Sequence, residues 1–106
     1  MILSELNDEV RNLSTEVGWR NSVTPWDGPP WFAALVGQAG KELGEAINAY
    51  RGGKWSKTEE DGKPSGVGPQ LAETLIRILD ICDTWNVDIE QEIVRVIEYR
   101  WKAARR

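Results

Sequence analysis

The sequence contains no histidine, and this absence excludes several kinds of chemistry. Among 106 residues there are 0 His and 1 Cys. Without histidine the chain has no Ser-His or Cys-His nucleophile pair, and it lacks the imidazole ligands of many zinc sites. Cys82 has no partner for an internal disulfide, and the apolar run around it predicts a buried thiol. The chemistry must therefore rest on carboxylates, amides and basic groups.

Long apolar runs are missing as well. No run of about 18 apolar residues occurs, so the sequence predicts no membrane-spanning helix. The segment from Met1 to Glu5 lacks the basic start and apolar stretch of a signal peptide. With 41% hydrophobic and 28% charged residues, the composition is that of a globular protein. We expect a soluble, cytoplasmic protein with a single domain over residues 1–106.

The charge is uneven along the chain. A net charge of −4 disfavours nucleic acid as a partner. From residue 95 onward only Glu98 is acidic, whereas five residues are basic: Arg95, Arg100, Lys102, Arg105 and Arg106. A helix that ends in positive charge suits its dipole and needs no ligand. The alternative is that some of these groups bind an anionic ligand such as a phosphate.

The spacing of apolar residues predicts an all-α fold of four helices. Helical periodicity covers residues 2–17, 31–51 and 69–85, and a fourth helix begins at Asp88. Asp88 is a good N-cap, and Gln91 stands in the capping-box position. Two long loops remain, over residues 18–30 and 52–68, and loops of this length in a small domain are often functional. The architecture expected is therefore a four-helix bundle-like domain with two long loops.

Two helices have more surface formed by apolar residues or by glycine than the chain can cover. The third predicted helix is apolar on most sides, which is typical of a buried helix. The second contains Gly37, Gly40 and Gly44, and each glycine costs about 1 kcal/mol of helix stability relative to alanine. The close approach of a neighbouring helix or subunit would compensate for this cost. We therefore expect a homodimer or homotetramer.

Polar residues on the third helix form a narrow stripe. They recur at spacings of three and four and therefore share one face: Gln70, Glu73, Arg77 and Asp80. Carboxylates on a mostly apolar helix are costly to bury unless they are paired or bind a metal. The stripe therefore predicts either ion pairs within the protein or a metal site.

A second acidic pair lies on the preceding helix. Glu42 and Glu45 are three residues apart and share a face. If the two helices pack antiparallel, carboxylates from both converge, as in bundles that hold divalent ions. Oxygen ligands favour Mg2+ or Mn2+ over zinc. A solvated helix face remains the alternative interpretation of this pair.

These residues resemble the signatures of a known family. The stretch ELGEAINAYR at 42–51 resembles the first signature of the MazG-like nucleotide pyrophosphohydrolases, an EExxE element on a helix. The stretch KPSGVGPQLAETLIRILD at 63–80 resembles the second, which carries an ExxD element, and residues 87–99 resemble the closing helix. Members of this family are all-α proteins that use magnesium to split nucleoside triphosphates into the monophosphate and pyrophosphate. The resemblance implies this fold, this activity and an oligomeric assembly.

The resemblance also implies the site residues. The metal ligands would be Glu42, Glu45, Gln70 and Glu73, and Asp80 matches a further acidic position; the catalytic carboxylates would be Glu42, Glu45, Glu73 and Asp80. The chain departs from the family pattern at Lys41, Gln70, Glu73, Val96 and Arg100. An amide at position 70 ligates a hard cation without a charge, which predicts weaker metal binding. Arg100 is one turn beyond Val96, which replaces the usual lysine, and could supply that positive charge.

Further residues are candidates for binding the substrate. The cations expected near a triphosphate are Arg77, Lys54 and Arg100, although an ion pair with Glu73 or Asp80 is the alternative for Arg77. A base could stack on one of three tryptophans near the loops, with packing as the alternative: Trp19, Trp26 and Trp55.

The sequence thus predicts a Mg2+-dependent nucleotide pyrophosphohydrolase, with Mn2+ as a second possible ion. A role in clearing modified nucleotides or tuning a nucleotide pool would follow from that activity. Two alternatives stay open. One is a catalytically weakened family member that binds nucleotide or metal, and the other is a purely structural, oligomeric helical protein.

Overall fold

The computed structural model describes residues 3–16 and 29–105, and within these ranges the fold is mostly helical. Its elements are α1 (Leu3–Glu16), α2 (Pro29–Arg51), β1 (Lys57–Thr58), β2 (Pro64–Ser65), α3 (Val67–Thr84) and α4 (Ile89–Ala104). The all-α prediction is confirmed, with four helices in the described part of the chain. Most of the predicted loop at 18–30 lies outside the described residues. None of the described helices is long and apolar enough to cross a membrane.

Helices α2 and α3 pack against each other as an antiparallel pair. The rings of Phe32 and Trp85 meet edge to face at 5.2 Å, where the start of α2 meets the end of α3. Further along, a hollow between the helices is lined by residues that run in opposite order, Val36 to Leu43 on α2 and Cys82 to Thr74 on α3. The small buried core lies along this pair and α1: Val10, Ala39, Ala46, Leu79 and Cys82. The predicted burial of Cys82 is confirmed.

The region predicted as the second loop contains a short antiparallel hairpin. Lys57 pairs with Ser65, and Thr58 pairs with Pro64. The turn is held by Asp61, whose carboxylate accepts a hydrogen bond from the backbone N–H of Lys63 at 3.0 Å. Helix α3 consequently begins at Val67 rather than at position 69. Pro69 is tolerated there because the first turn of a helix does not use its N–H groups.

Helix α4 begins as predicted but buries nothing. The Asp88 side chain accepts a hydrogen bond from the backbone N–H of Gln91 at 3.1 Å, which confirms the N-cap. None of the residues of α4 is buried, although several are large and apolar: Ile93, Val94, Val96, Ile97 and Trp101. The prediction that α3 is buried on most sides is also wrong for three residues that this chain leaves exposed: Leu71, Leu75 and Ile78. The described part of one chain therefore leaves both helices partly uncovered.

Candidate functional site

Helical geometry places two of the predicted carboxylates, Glu45 and Glu73, on the side of the α2–α3 pair away from its apolar hollow. Leu43 and Cys82 line the hollow. Glu45 is two residues from Leu43, about 200° around α2, and Glu73 is nine residues from Cys82, about 180° around α3. The antiparallel register, in which Leu43 stands near Thr74, places Glu45 across from Glu73. We call Glu42, Glu45, Gln70 and Glu73 the acidic edge.

The side chains of the acidic edge differ in burial. Glu42, Glu45 and Gln70 are half-buried, whereas Glu73 is exposed. Glu42, Glu45 and Glu73 make no ion pair with any residue of the described ranges. Three carboxylates therefore run along one edge of the helix pair without a cation from this part of the chain to neutralise them.

Gln70 has a buried acceptor that no residue of the described ranges satisfies. Its Oε1 atom is buried and has no hydrogen-bond partner among residues 3–16 and 29–105. A buried acceptor of this kind is costly, and an amide oxygen is a ligand that hard cations accept. However, no three acidic or thiol groups in the described part of the chain lie close enough together to hold a metal ion. The donor set fits Mg2+ in ligand type, but its side chains are not gathered around one point.

Asp80 and Arg77 continue the stripe of α3 toward its C-terminal end. Asp80 is buried, with only 3% of its surface exposed, and its backbone carbonyl accepts a hydrogen bond from Thr84 Oγ1 at 2.8 Å. Arg77 is half-buried. Within the residues that the structure describes, Arg77 makes no ion pair with Glu73. Of the two candidates to orient a water molecule, half-buried Glu45 is thus more accessible to solvent than Asp80.

Lys54 and Trp55 lie at the base of the hairpin. Lys54 Nζ forms an ion pair with Glu59 at 3.3 Å, and Glu59 also accepts a hydrogen bond from Ser65 Oγ at 2.7 Å. The Ser65 bond and the Lys54 charge lower the pKa of Glu59. Trp55 is exposed and meets Tyr50 edge to face at 5.7 Å, so one face of its indole is open to a stacking partner. The predicted Trp19 and Trp26 lie outside the described residues.

Arg100 is not brought to the acidic edge within one chain. It is exposed on α4, and the hollow beside it is lined entirely by residues of α4: Glu92, Arg95, Val96, Tyr99 and Arg100. Arg100 also shares a face of α4 with Ile93 and Ile97, seven and three residues earlier. Its predicted role at the triphosphate would therefore need a rearrangement of α4 or a second copy of the chain.

One polar contact was not predicted from the sequence. Arg11 on α1 binds both carboxylate oxygens of Asp83 on α3, with Nη2 at 2.8 Å and Nε at 3.1 Å from Oδ1. The Asp83 hydrogen bond and charge raise the pKa of Arg11. The two residues line a small polar hollow next to Cys82. No sequence pattern marks this pair, because 72 positions separate its members.

Comparison with known proteins identifies no relative of this chain. No model of a known protein family matches the chain, and neither does any curated protein or solved structure. The resemblance to MazG-like enzymes therefore depends on the stretches at 42–51, 63–80 and 87–99 alone.

Proposed function

We propose that the chain is a MazG-type, Mg2+-dependent nucleotide pyrophosphohydrolase that cleaves nucleoside or deoxynucleoside triphosphates into the monophosphate and pyrophosphate. The observation that supports this function best is the acidic edge. Its carboxylates come from two antiparallel helices and lack internal cations, and the Gln70 oxygen among them is buried without a donor in the described part of the chain. Negative charge and an unsatisfied acceptor along the same edge favour a bound cation.

In this proposal Glu42, Glu45, Gln70 and Glu73 hold the metal ion. Bound Mg2+, or Mn2+ in its place, would neutralise the phosphate oxygens. Glu45 orients a water molecule toward the α-phosphorus, with Asp80 as the second candidate. The water oxygen forms the new bond to phosphorus and loses a proton to the Glu45 carboxylate, the bond to the bridging oxygen breaks, and pyrophosphate leaves with that oxygen. Arg77, Lys54 and Arg100 are the cations proposed to bind the triphosphate; Lys54 would exchange its ion pair with Glu59 for a phosphate, and Trp55 would stack on the base.

A specific observation favours the alternative of a weakened relative. In the described residues the carboxylates are not gathered into a metal cluster, and the Gln70 position carries no charge. A protein with this edge would bind metal or nucleotide weakly and turn over slowly. The purely structural alternative predicts no ligand at all.

The proposal includes a homo-oligomer in the cytoplasm, a homodimer or a homotetramer. The exposed apolar residues of α2, α3 and α4 support the oligomer. Neither a membrane nor nucleic acid is expected as a partner. A role in clearing modified nucleotides or adjusting a nucleotide pool would fit the activity.

The test of the enzyme is pyrophosphate release from a panel of ribo- and deoxynucleoside triphosphates, with Mg2+ and then Mn2+. We expect metal-dependent release from at least one nucleotide, and its loss in Glu42→Ala. Glu9→Ala is the matched control, because Glu9 is an exposed carboxylate on α1, away from the acidic edge. Equal rates in both variants would show that the acidic edge is not the site.

Thermal stability separates the alternatives. A ligand that binds only the folded state raises the melting temperature, so Mg2+ should stabilise the wild-type protein but not Glu42→Ala. Stabilisation without turnover would support the weakened relative. If no divalent ion or nucleotide stabilises the wild-type protein, both ligand-binding functions are wrong and the structural alternative stands.

A further inference from the structure

The carboxylate of Glu59 is held by three donors at the base of the hairpin. Its Oε1 atom accepts a hydrogen bond from Ser65 Oγ at 2.7 Å and lies 3.3 Å from Lys54 Nζ. Its Oε2 atom lies 3.9 Å from Nζ of Lys57, which is paired with Ser65 across the two strands. We call Lys54, Lys57 and Ser65 the donor cluster. Two ammonium groups and one hydroxyl therefore surround a single anionic group.

Backbone hydrogen bonds hold this region in position independently of the ion pairs. The N–H of Lys54 donates to the carbonyl of Ala49 at 3.0 Å, near the end of α2. The carbonyl of Lys54 accepts from the N–H of Val67 at 3.0 Å, at the start of α3. Across the hairpin, the N–H of Glu59 donates to the carbonyl of Lys63 at 2.8 Å. Release of the Glu59 carboxylate therefore needs only a rotation of its side chain, while the backbone of the donors stays in place.

The ion pairs of Glu59 are open to solvent and can be exchanged for others. The side chain of Lys54 is 48% exposed, and that of Glu59 is 35% exposed. Ion pairs with this exposure contribute little to stability, because water and salt screen the charges. Phosphate oxygens accept hydrogen bonds from the same ammonium and hydroxyl donors as a carboxylate does. A ligand with several negative charges that contacts both lysines would attract them more strongly than one carboxylate.

The donor cluster lies next to the end of the acidic edge that contains Gln70. The carbonyl of Lys54 is bonded to the N–H of Val67, and Gln70 follows Val67 by three residues, about 4.5 Å along α3. Val67 and Gln70 are neighbours on one face of the helix. A metal ion at the acidic edge and the ammonium group of Lys54 are therefore placed to contact different phosphates of one polyphosphate chain.

We propose that Glu59 is a resident anion that the terminal phosphates of a nucleoside triphosphate displace from the donor cluster. Lys54, Lys57 and Ser65 then donate to phosphate oxygens instead of to the carboxylate. This inference rests on the function proposed above and deepens it, because it adds Lys57 and Ser65 to the ligand contacts and makes Glu59 a competitor of the substrate. Anions of lower charge, such as the nucleoside monophosphate product, displace the carboxylate less readily. The competition therefore favours the triphosphate over its product.

NMR detection of the side-chain carboxyl carbons tests the displacement in the wild-type protein. Inorganic tripolyphosphate, without a divalent ion, should shift the signal of Glu59, because its carboxylate loses three donors. The signal of Glu60 should stay in place, since Glu60 is exposed and makes no ion pair within the described residues. A nucleoside triphosphate should shift Glu59 as tripolyphosphate does, and inorganic phosphate should shift it less. An unmoved Glu59 signal, or a shift with tripolyphosphate but not with the nucleotide, overturns the proposal.

Neutralising Glu59 gives the second test. Glu59→Gln keeps the size of the side chain and should lower the dissociation constant of tripolyphosphate about 3- to 10-fold, because no carboxylate then competes for the donors. Glu60→Gln is the matched control: it changes the net charge equally but should change the constant less than about two-fold. Lys57→Met should weaken binding.

Circular dichroism of each variant checks that the fold is intact. Equal effects of Glu59→Gln and Glu60→Gln, or unchanged binding in Lys57→Met, overturn the proposal. These measurements involve neither a metal ion nor turnover. A failure here is therefore separate from failure of the pyrophosphohydrolase proposal, which is tested by metal-dependent pyrophosphate release and by Glu42→Ala.

Discussion

Among the described glycines, Gly66 is the one at which an added methyl group should lower the stability of the protein most. It is the residue that precedes α3, and its backbone has φ 117° and ψ −174°, a combination that only glycine adopts readily. A Cβ atom there would lie 2.9 Å from both the carbonyl carbon and the carbonyl oxygen of Trp55. These are backbone atoms that cannot swing away. We therefore predict that Gly66→Ala strongly destabilises the hairpin and the start of α3.

The magnitude follows from two separate costs. The unfavourable backbone conformation costs about 1–3 kcal/mol, and forcing an extra methyl into an occupied space costs about 1–3 kcal/mol more. Relaxation is limited, because the N–H of Val67 donates to the carbonyl of Lys54 at 3.0 Å and the N–H of Gly68 donates to that of Trp55 at 2.9 Å. We expect a loss of about 4 kcal/mol in the free energy of unfolding, a large share of a small domain's total.

Chemical denaturation at fixed protein concentration measures this loss, with two glycine variants as controls. Gly62→Ala shares a positive φ of 87° but meets no atom within 4 Å, so it should cost only about 1 kcal/mol. Gly37→Ala lies in α2 with open space around it and should stabilise the protein by up to about 1 kcal/mol. If Gly66→Ala is no worse than Gly62→Ala, the contact with the Trp55 backbone does not act as argued.

Three further changes test local interactions. Asp88→Ala removes the side-chain acceptor for the Gln91 N–H and should lower the free energy of unfolding, measured by thermal unfolding, by about 1 kcal/mol. Asp88→Asn should remain close to wild type. Equal losses in the two variants would contradict the N-cap. Ser65→Ala removes the largest cause of the lowered pKa of Glu59. The pKa of that carboxyl, measured by NMR titration, should therefore rise toward 4.5. Because the folded pKa is lowered, the stability from Glu59 is present above pH 4.5 and is lost as the pH falls through the folded value. Burial raises the pKa of the Cys82 thiol. The native protein should therefore react with a disulfide reagent at pH 8 more slowly than the unfolded protein. Equal rates would refute the burial of Cys82.

The helices could be predicted because their signals are local. Apolar spacing and the Asp88 cap act within a few residues, and the structure confirms both. The hairpin at 57–65 could not be predicted in the same way, because two-residue strands are too short to show the alternation by which a strand is recognised. Its geometry depends on Asp61 and on the backbone of Gly62 and Gly66. The acidic edge required one step more, the antiparallel register of α2 and α3, which the long connection at 52–66 does not fix.

Whether an amphipathic helix becomes buried does not follow from its amphipathic pattern, as α1 and α4 illustrate. Both helices have apolar residues at helical spacing, but α1 buries Val10 and Ser14 and is tied to α3 through Arg11 and Asp83, whereas α4 has no buried residue. Periodicity depends on the sequence of the helix alone, and burial depends on what lies beside it in the folded chain. The connection from α3 to α4 is only 85–88, yet this closeness in sequence does not bury any residue of α4. An amphipathic helix that remains wholly unburied is therefore a stronger indication of a partner than the amphipathic pattern by which it was predicted.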